Sequence, residues 1–155
     1  MRINLVILLF FISSTTIGRT IIAGVNQPIP SLKKAIELAK DNDTILLQAG
    51  IYKEGSITLT KSLTIIGQNN PILDGEHKYE ILLITGKNTS IIGLQFRNSG
   101  YSSMGDFAAI KLVDASNILL ENNQVSGAYF AIHISNTSYV TVRNNTISRD
   151  VWHCR

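Results

Sequence analysis

Apolar and polar residues alternate along several short segments in the second half of the chain. In one of them Ile132 and Ile134 flank His133, and residues 140–142 repeat the same order. A period of two is typical of β-strands that bury one face, so His133 is expected to point outward, with Lys111 beside it in the preceding unit. Asn, Gly, Ser and Asp separate the segments and favour turns. The pattern predicts many short strands.

One heptapeptide pattern occurs twice: residues 120–126 read LENNQVS and residues 142–148 read VRNNTIS. Similar polar turns after an apolar stretch lie at residues 65–67 and 91–93, so four consecutive units share one frame at slightly unequal intervals. Units of this length with short strands and no helical segment predict the coils of a parallel β-helix. Further apolar positions align in the same frame: Ile57 with Leu83, Leu112 and Ile134, and Ile81 with Ile110 and Ile132.

The double asparagines are predicted to form the corners of the coils. Asn accepts positive φ better than other residues that carry a side chain, and Gly67 and Gly93 occupy the equivalent places in earlier coils. Stacked Asn122 and Asn144 are predicted to form a ladder of amide hydrogen bonds. The same register places Glu121 opposite Arg143 as a pair of opposite charge.

A short amphipathic helix is predicted to cover the N-terminal end of the β-helix. Ser31 is a suitable N-cap, and polar residues occupy the opposite face of the segment that follows it. The predicted apolar stripe consists of Leu32, Ala35, Ile36 and Ala39.

The N-terminal segment has the build of a secretory signal peptide. A basic residue, Arg2, precedes about ten mostly apolar residues and then small polar ones, and this run is too short for a membrane-spanning helix. We expect a signal peptide at residues 1–18, with the boundary as late as 24, and a β-helix domain at residues 29–155. An uncleaved anchor is the alternative, and export to the periplasm is expected in either case. Because the chain stops where another coil would begin, the domain is expected to be C-terminally truncated.

Composition narrows the possible functions. The chain has 155 residues, of which 45% are hydrophobic and 16% charged, as in ordinary globular proteins. The net charge of +3 is mild and the basic residues are scattered, which argues against nucleic-acid binding. With Cys154 as its single cysteine, the chain cannot form an internal disulfide.

Candidate chemistry is sparse. No acidic cluster is repeated, so catalysis by paired carboxylates is not expected; the acidic residues weighed for it are Asp74, Asp106, Asp114, Glu121 and Asp150. His133, His77 and Met104 are weak candidates for copper ligands, since none pairs with another at ligand spacing. Residues 99–106 form the longest turn and are the expected partner-binding loop. Its candidate contact residues are Ser99, Gly100, Ser102 and Asp106.

Parts of the chain resemble known families. Residues 35–75 are similar to the first coil of pectin-lyase-like proteins, including pectin methylesterases, and this resemblance implies a right-handed β-helix of four to five coils. The sequences NSGYSSMGDFAAIKL, GAYFAIHI and RDVW, together with the double-Asn turns, resemble the NosD family over residues 29–152. Ala109 and Ala131 replace glycines that are common in that family, whose members have many more coils.

The NosD resemblance implies a non-enzymatic periplasmic protein that helps to assemble the copper centres of nitrous-oxide reductase. Its implied partners are an ABC transporter, a copper chaperone and the reductase, with copper as the implied metal. The alternative is a carbohydrate-active β-helix enzyme, such as a polysaccharide lyase, a pectin esterase or an epimerase.

Overall fold

The computed structural model describes residues 18–102 and 105–148. The predicted signal peptide up to residue 17 and the predicted truncation after Ser148 therefore lie outside the described residues. One helix, α1 (Leu32–Leu38), accompanies the strands. The strands are β1 (Thr20–Ala23), β2 (Thr44–Leu47), β3 (Ile51–Tyr52), β4 (Ile57–Leu59), β5 (Thr64–Gly67), β6 (Ile72–Asp74), β7 (Leu82–Ile84), β8 (Lys87–Ile92), β9 (Gln95–Arg97), β10 (Ala108–Val113), β11 (Ser116–Glu121), β12 (Gln124–Ser126), β13 (Phe130–Ser135), β14 (Ser138–Arg143) and β15 (Thr146–Ser148).

The strands form three parallel sheets, as expected for a β-helix. A six-stranded sheet runs β1-β2-β5-β8-β11-β14, a five-stranded sheet runs β3-β6-β9-β12-β15, and a four-stranded sheet runs β4-β7-β10-β13. From β2 onward the chain visits the three sheets in turn, whereas between β1 and β2, which lie in the same sheet, it forms α1. The predicted right-handed parallel β-helix is confirmed, although the largest sheet has six strands where four to five coils were expected.

The core consists of the inward residues of all three sheets, stacked in columns. In the six-stranded sheet the column Ile45, Ile65, Ile91 and Leu120 is 0% exposed. Complete burial of one such side chain contributes about 1.5–3 kcal/mol to folding. Branched aliphatic residues fit these positions because they pack well on a pleated surface.

The predicted register of the six-stranded sheet is confirmed, but two strands of the four-stranded sheet were misaligned. Leu120 pairs with Ile91 on one side and with Val142 on the other, as predicted. In β7, however, Leu82 and Ile84 face inward and Leu83 does not. The cause is the turn before β8, which is shorter by a single position than the matching turn in the next coil, so Ile84 and not Leu83 pairs with Leu112. A shift of one position exchanges the two faces of a strand. In β4, Ile57 pairs with Leu82 and so belongs to the column of Ile110, not to that of Leu112 as predicted.

Helix α1 closes the N-terminal end as predicted. The Ser31 hydroxyl accepts a hydrogen bond from the Lys34 amide at 3.1 Å and caps the helix. The predicted apolar stripe is buried, with Leu32 and Ala35 fully enclosed. Glu54 accepts hydrogen bonds from the first two helical amides at 2.8 Å each, and the Lys61 ammonium donates to three carbonyls at the other end. Opposite charges thus stabilise both ends of the helix dipole.

The coil stack begins before residue 29, where the domain was predicted to start. Strand β1 pairs with β2 over its whole length, from Thr20 to Ala23. A cleavage after Gly18 would leave β1 intact, whereas a cleavage near residue 24 would remove it. Over the described ranges, no helix has the length and apolar character needed to cross a membrane.

Candidate functional site

The predicted corner residues turn the backbone at three of the four positions. Gly93, Asn122 and Asn144 have φ of 70°, 54° and 55°. Gly67 was expected to do the same, and this prediction was wrong, because Gly67 lies within β5 without a positive φ. A Cβ there would lie 2.2 Å from the Gly93 carbonyl oxygen, so Gly67 is required by the close approach of two coils.

The amide ladder is formed by the second asparagine of each pair, not by the predicted Asn122 and Asn144. Asn123 is 1% exposed and donates from Nδ2 to Asn145 Oδ1 at 3.0 Å and to the Ile91 carbonyl at 2.9 Å. Its own Oδ1 accepts from the Leu94 amide at 3.0 Å. A residue with positive φ sends the next side chain to the inside of the turn, where backbone groups need partners. The double asparagines are therefore structural.

Stacking of the coils brings together two residues that were predicted separately. His133 lies next to Lys111 in the register, as predicted, and its Nε2 is 3.6 Å from Asp106 Oδ2. Beneath this pair, Lys111 Nζ lies 3.3 Å from Glu80 Oε2, and both of these side chains are mostly buried. We call Glu80, Asp106, Lys111 and His133 the polar row. It consists of two oppositely charged pairs from successive coils, provided that the imidazole is protonated.

An aromatic cluster adjoins the polar row. Tyr101 and Tyr129 meet edge to face with ring centroids 4.9 Å apart, and Tyr129 meets Phe130 in the same way at 4.8 Å. The Phe130 ring lies 6.0 Å from the His133 imidazole. We call Tyr101, Tyr129 and Phe130 the aromatic stripe. The exposed fractions of these residues are 64%, 62% and 37%, so an aromatic surface is open to solvent.

A groove of about 590 Å³ runs along the aromatic stripe. Its lining includes His77 and Ser99 as well as all three aromatic residues. His77, a candidate copper ligand, and Ser99, a candidate partner-binding residue, therefore line the same groove as the aromatic stripe. The aromatic stripe itself was not predicted from the sequence.

The predicted binding loop is only partly exposed. Ser99 and Gly100 are buried, which contradicts the expectation that they protrude. The Ser99 hydroxyl accepts from the Tyr129 amide at 3.3 Å, and the Gly100 amide donates to the Tyr79 carbonyl at 2.8 Å. They anchor the turn because its backbone needs hydrogen-bond partners where it leaves the sheet. Ser102 is partly exposed and Asp106 is exposed.

The candidate copper ligands do not converge among the described residues. No three His, Cys, Asp or Glu side chains within residues 18–102 and 105–148 converge closely enough to hold a metal. His133 and Asp106 provide two donors, and His77 lines the groove separately. Met104 and Cys154 lie outside the described residues.

The other acidic candidates hold coils together. Glu121 and Arg143 form the predicted pair, with Nε and Oε1 2.9 Å apart. Asp114 accepts a hydrogen bond from Asn136, and Asp74 Oδ2 lies 3.0 Å from Arg97 Nε. Asp150 lies outside the described residues.

Asp74 Oδ1 also accepts hydrogen bonds from the side-chain amide of Asn98 and from the backbone amide of Glu76. Burial raises the pKa of Asp74, but the hydrogen bonds and the Arg97 charge outweigh this effect and lower the pKa below its ordinary value. The ionised carboxylate of Asp74 is therefore a structural acceptor and not a proton donor.

The coil register and the three parallel sheets agree with a comparison against protein families. Residues 79–152 match the family model described as "Right handed beta helix region". The chain has the right-handed parallel β-helix fold. The match and the fold together support a relationship to pectin-lyase-like β-helices, and they do not single out the NosD family. No curated protein and no solved structure matches the chain.

Sequence reasoning missed Glu80 and the aromatic stripe. Tyr129 and Phe130 follow closely after the repeated LENNQVS segment, and Tyr101 lies in the longest turn, so their positions in sequence are far apart. The adjacent pair Tyr129 and Phe130 could have indicated an exposed aromatic surface. In alternating strand structure, one of two neighbouring aromatic residues must point outward.

Proposed function

We propose that this chain is a non-enzymatic β-helix accessory protein that binds a partner protein through the aromatic stripe. The observation that carries the proposal is the contact series from Tyr101 through Tyr129 to Phe130, open to solvent beside a groove. Tyrosine and phenylalanine are enriched in the cores of protein interfaces, where their rings bury a large area at little entropic cost.

The surroundings of the stripe favour docking to a folded protein. The Tyr129 amide is hydrogen-bonded to Ser99, and Phe130 begins a strand that pairs with β10, so the rings are held by a rigid backbone. The polar row beside them pairs its own charges within the molecule. An apolar centre with a polar border matches the general anatomy of an interface.

The specific role that we propose is the one implied by the sequence resemblance to NosD. In this role the protein acts in the periplasm during assembly of the copper centres of nitrous-oxide reductase, with an ABC transporter, a copper chaperone and the reductase as partners. The resemblance over residues 29–152 and the double-Asn turns support this proposal, together with an outward docking surface on a stiff coil stack.

Association with those partners tests the proposal. The purified chain is immobilised, and binding of the reductase and of the copper chaperone is measured by biolayer interferometry. We expect Tyr129→Ala to weaken binding at least tenfold, because truncation of a central aromatic residue commonly costs about 2 kcal/mol or more. Tyr139→Ala is the matched control, since Tyr139 is 84% exposed on a different sheet. A chain that binds neither partner would reject the accessory role.

A carbohydrate-active enzyme is the second candidate, and the polar row favours it. Two carboxyl groups, an ammonium and an imidazole lie on successive coils beside a groove, and such groups can serve acid–base chemistry on a glycan. Turnover of an acidic polysaccharide that Lys111→Met or Asp106→Asn abolishes would support this candidate. The same assay without turnover would exclude it for the substrates tested.

A further inference from the structure

The contact between His133 and Asp106 joins two successive coils beside the aromatic stripe. Asp106 precedes β10, whereas His133 lies within β13, and Nε2 is 3.6 Å from Oδ2. This separation is too long for a good neutral hydrogen bond and short enough for an ion pair. The contact therefore gains attraction when the imidazole is protonated.

We propose that this pair is a pH-dependent clamp that fixes the aromatic stripe when His133 is protonated. The clamp regulates the surface described under Proposed function, and its effect on a partner rests on that function. The Phe130 ring lies 6.0 Å from the imidazole, and Phe130 contacts Tyr129. Restraining His133 thus restrains the base of the stripe.

The charges around His133 determine how strong the clamp is. Lys111 on β10 is its direct neighbour in the register and opposes protonation, but the Glu80 carboxylate lies 3.3 Å from the Lys111 ammonium and compensates its charge. Nδ1 of His133 is buried without a hydrogen-bond partner among the described residues. Asp106 is the one carboxylate in ion-pair contact with His133 in the described part of the chain, so the coupling depends on it.

The clamp is tested at two pH values on either side of the range, about pH 5 to pH 8, in which histidine side chains in general change charge. Stabilisation by a protonated histidine is present at low pH and disappears as pH rises through the titration. Asp43 and Asp74, whose pKa values are lowered, are already ionised throughout this range.

A double-mutant cycle at two pH values tests the clamp without any partner. Urea unfolding is measured for the wild type, Asp106→Asn, His133→Gln and the double variant at about pH 5.5 and pH 8. We expect Asp106 and His133 to be coupled by about a two- to fivefold factor in the folding equilibrium constant at the lower pH, and by no measurable factor at the higher pH.

His77→Gln is the control, because His77 lines the groove along the aromatic stripe but lies outside the polar row. It is expected to leave the coupling between Asp106 and His133 unchanged. Equal coupling at both pH values, or none at either, would overturn the clamp.

Partner binding provides the second measurement, with the copper chaperone and the reductase as probes. We expect wild-type affinity to rise about two- to fivefold from pH 8 to pH 5.5, and Asp106→Asn to lose this rise. A clamp seen in unfolding with no partner bound at either pH would reject the proposed function and retain the clamp. Binding that gains equally in the wild type and in Asp106→Asn would overturn the clamp and retain the function.

Discussion

Asn122 turns the backbone, and Asn123 fills the space inside that turn. The first has φ of 54° and is exposed, whereas the second is 1% exposed and bonded to the coils on both sides. The sequence predicted that these asparagines form corners and a ladder. It could not predict which of the two adjacent asparagines turns the backbone and which forms the ladder, because a residue with positive φ interrupts the alternation of faces.

Replacing Asn123 is expected to destabilise the fold strongly. Asn123→Ala removes the acceptor of the Leu94 amide and one donor to the Ile91 carbonyl, and an unpaired buried group costs about 1–3 kcal/mol. We therefore expect a loss of about 2–4 kcal/mol in the free energy of unfolding, measured in urea. Asn122→Gly is the control and is expected to change stability by less than about 0.5 kcal/mol. A similar loss in both variants would contradict the division of roles.

Tyr139 occupies a position that suits asparagine. Its φ is 55°, and its column continues Asn117 and Asn88, whose side chains form an amide hydrogen bond of 2.8 Å. A left-handed conformation costs most side chains about 1–2 kcal/mol, and asparagine less. Tyr139→Asn is therefore expected to raise stability by about 1 kcal/mol in thermal unfolding. An unchanged or lower melting temperature would show that Tyr139 is not strained.

Among the elements, α1 was predicted most completely. Its cap and its buried stripe follow from local sequence, and both are confirmed. The charged contacts at its two ends were not predicted, because Glu54 and Lys61 lie far downstream in sequence and reach the helix only after the chain has passed through the following strands.

Removal of the Lys61 ammonium tests the contact at the C-terminal end of the helix. Lys61→Met leaves the Ile36, Glu37 and Ala39 carbonyls without this donor, and we expect a loss of about 1–2 kcal/mol. Lys53→Met is the matched control, since Lys53 forms an exposed pair at 3.5 Å. Hydrogen exchange of the α1 amides locates the effect. Equal protection in both variants would show that Lys61 does not hold the helix.

Asp43 makes the N-terminal elements sensitive to acid. Hydrogen bonds from the Lys40 backbone, followed by contacts with Arg19, outweigh burial and lower its pKa from 3.8 to about 2. A carboxylate whose pKa is lowered by folding stabilises the protein above its unfolded pKa, and this contribution disappears as pH falls through the folded value. The stabilisation is therefore expected to decline between about pH 4 and pH 2.

Acid titration of Asp43→Asn checks this expectation. The variant lacks the ionised carboxylate at every pH, so its stability is expected to vary less than that of the wild type between about pH 4 and pH 2. Circular dichroism in urea at each pH gives the comparison. Parallel pH profiles for the two proteins would contradict the role assigned to Asp43.

For the whole molecule, the fold was predicted from repetition and the site only in part. Short strands in a repeated frame predicted the coils. Strand β1 was not predicted, because it precedes the recognisable repeat and falls within the uncertain boundary of the predicted signal peptide. His133 and Asp106 were candidates for separate reasons, and only the stacking of coils places them 3.6 Å apart. The aromatic stripe was not predicted, since Tyr101 meets Tyr129 across a turn of unusual length.

We propose that binding depends on the aromatic stripe and that the asparagine repeats are structural. One experiment separates the two roles: affinity for the copper chaperone or the reductase and the urea midpoint are both measured for Tyr129→Ala and Asn123→Ala. We expect Tyr129→Ala to bind at least tenfold more weakly with a nearly unchanged midpoint, and Asn123→Ala to have a lowered midpoint and, where it is folded, wild-type affinity. Wild-type affinity in Tyr129→Ala, or weak binding by folded Asn123→Ala, would contradict this proposal.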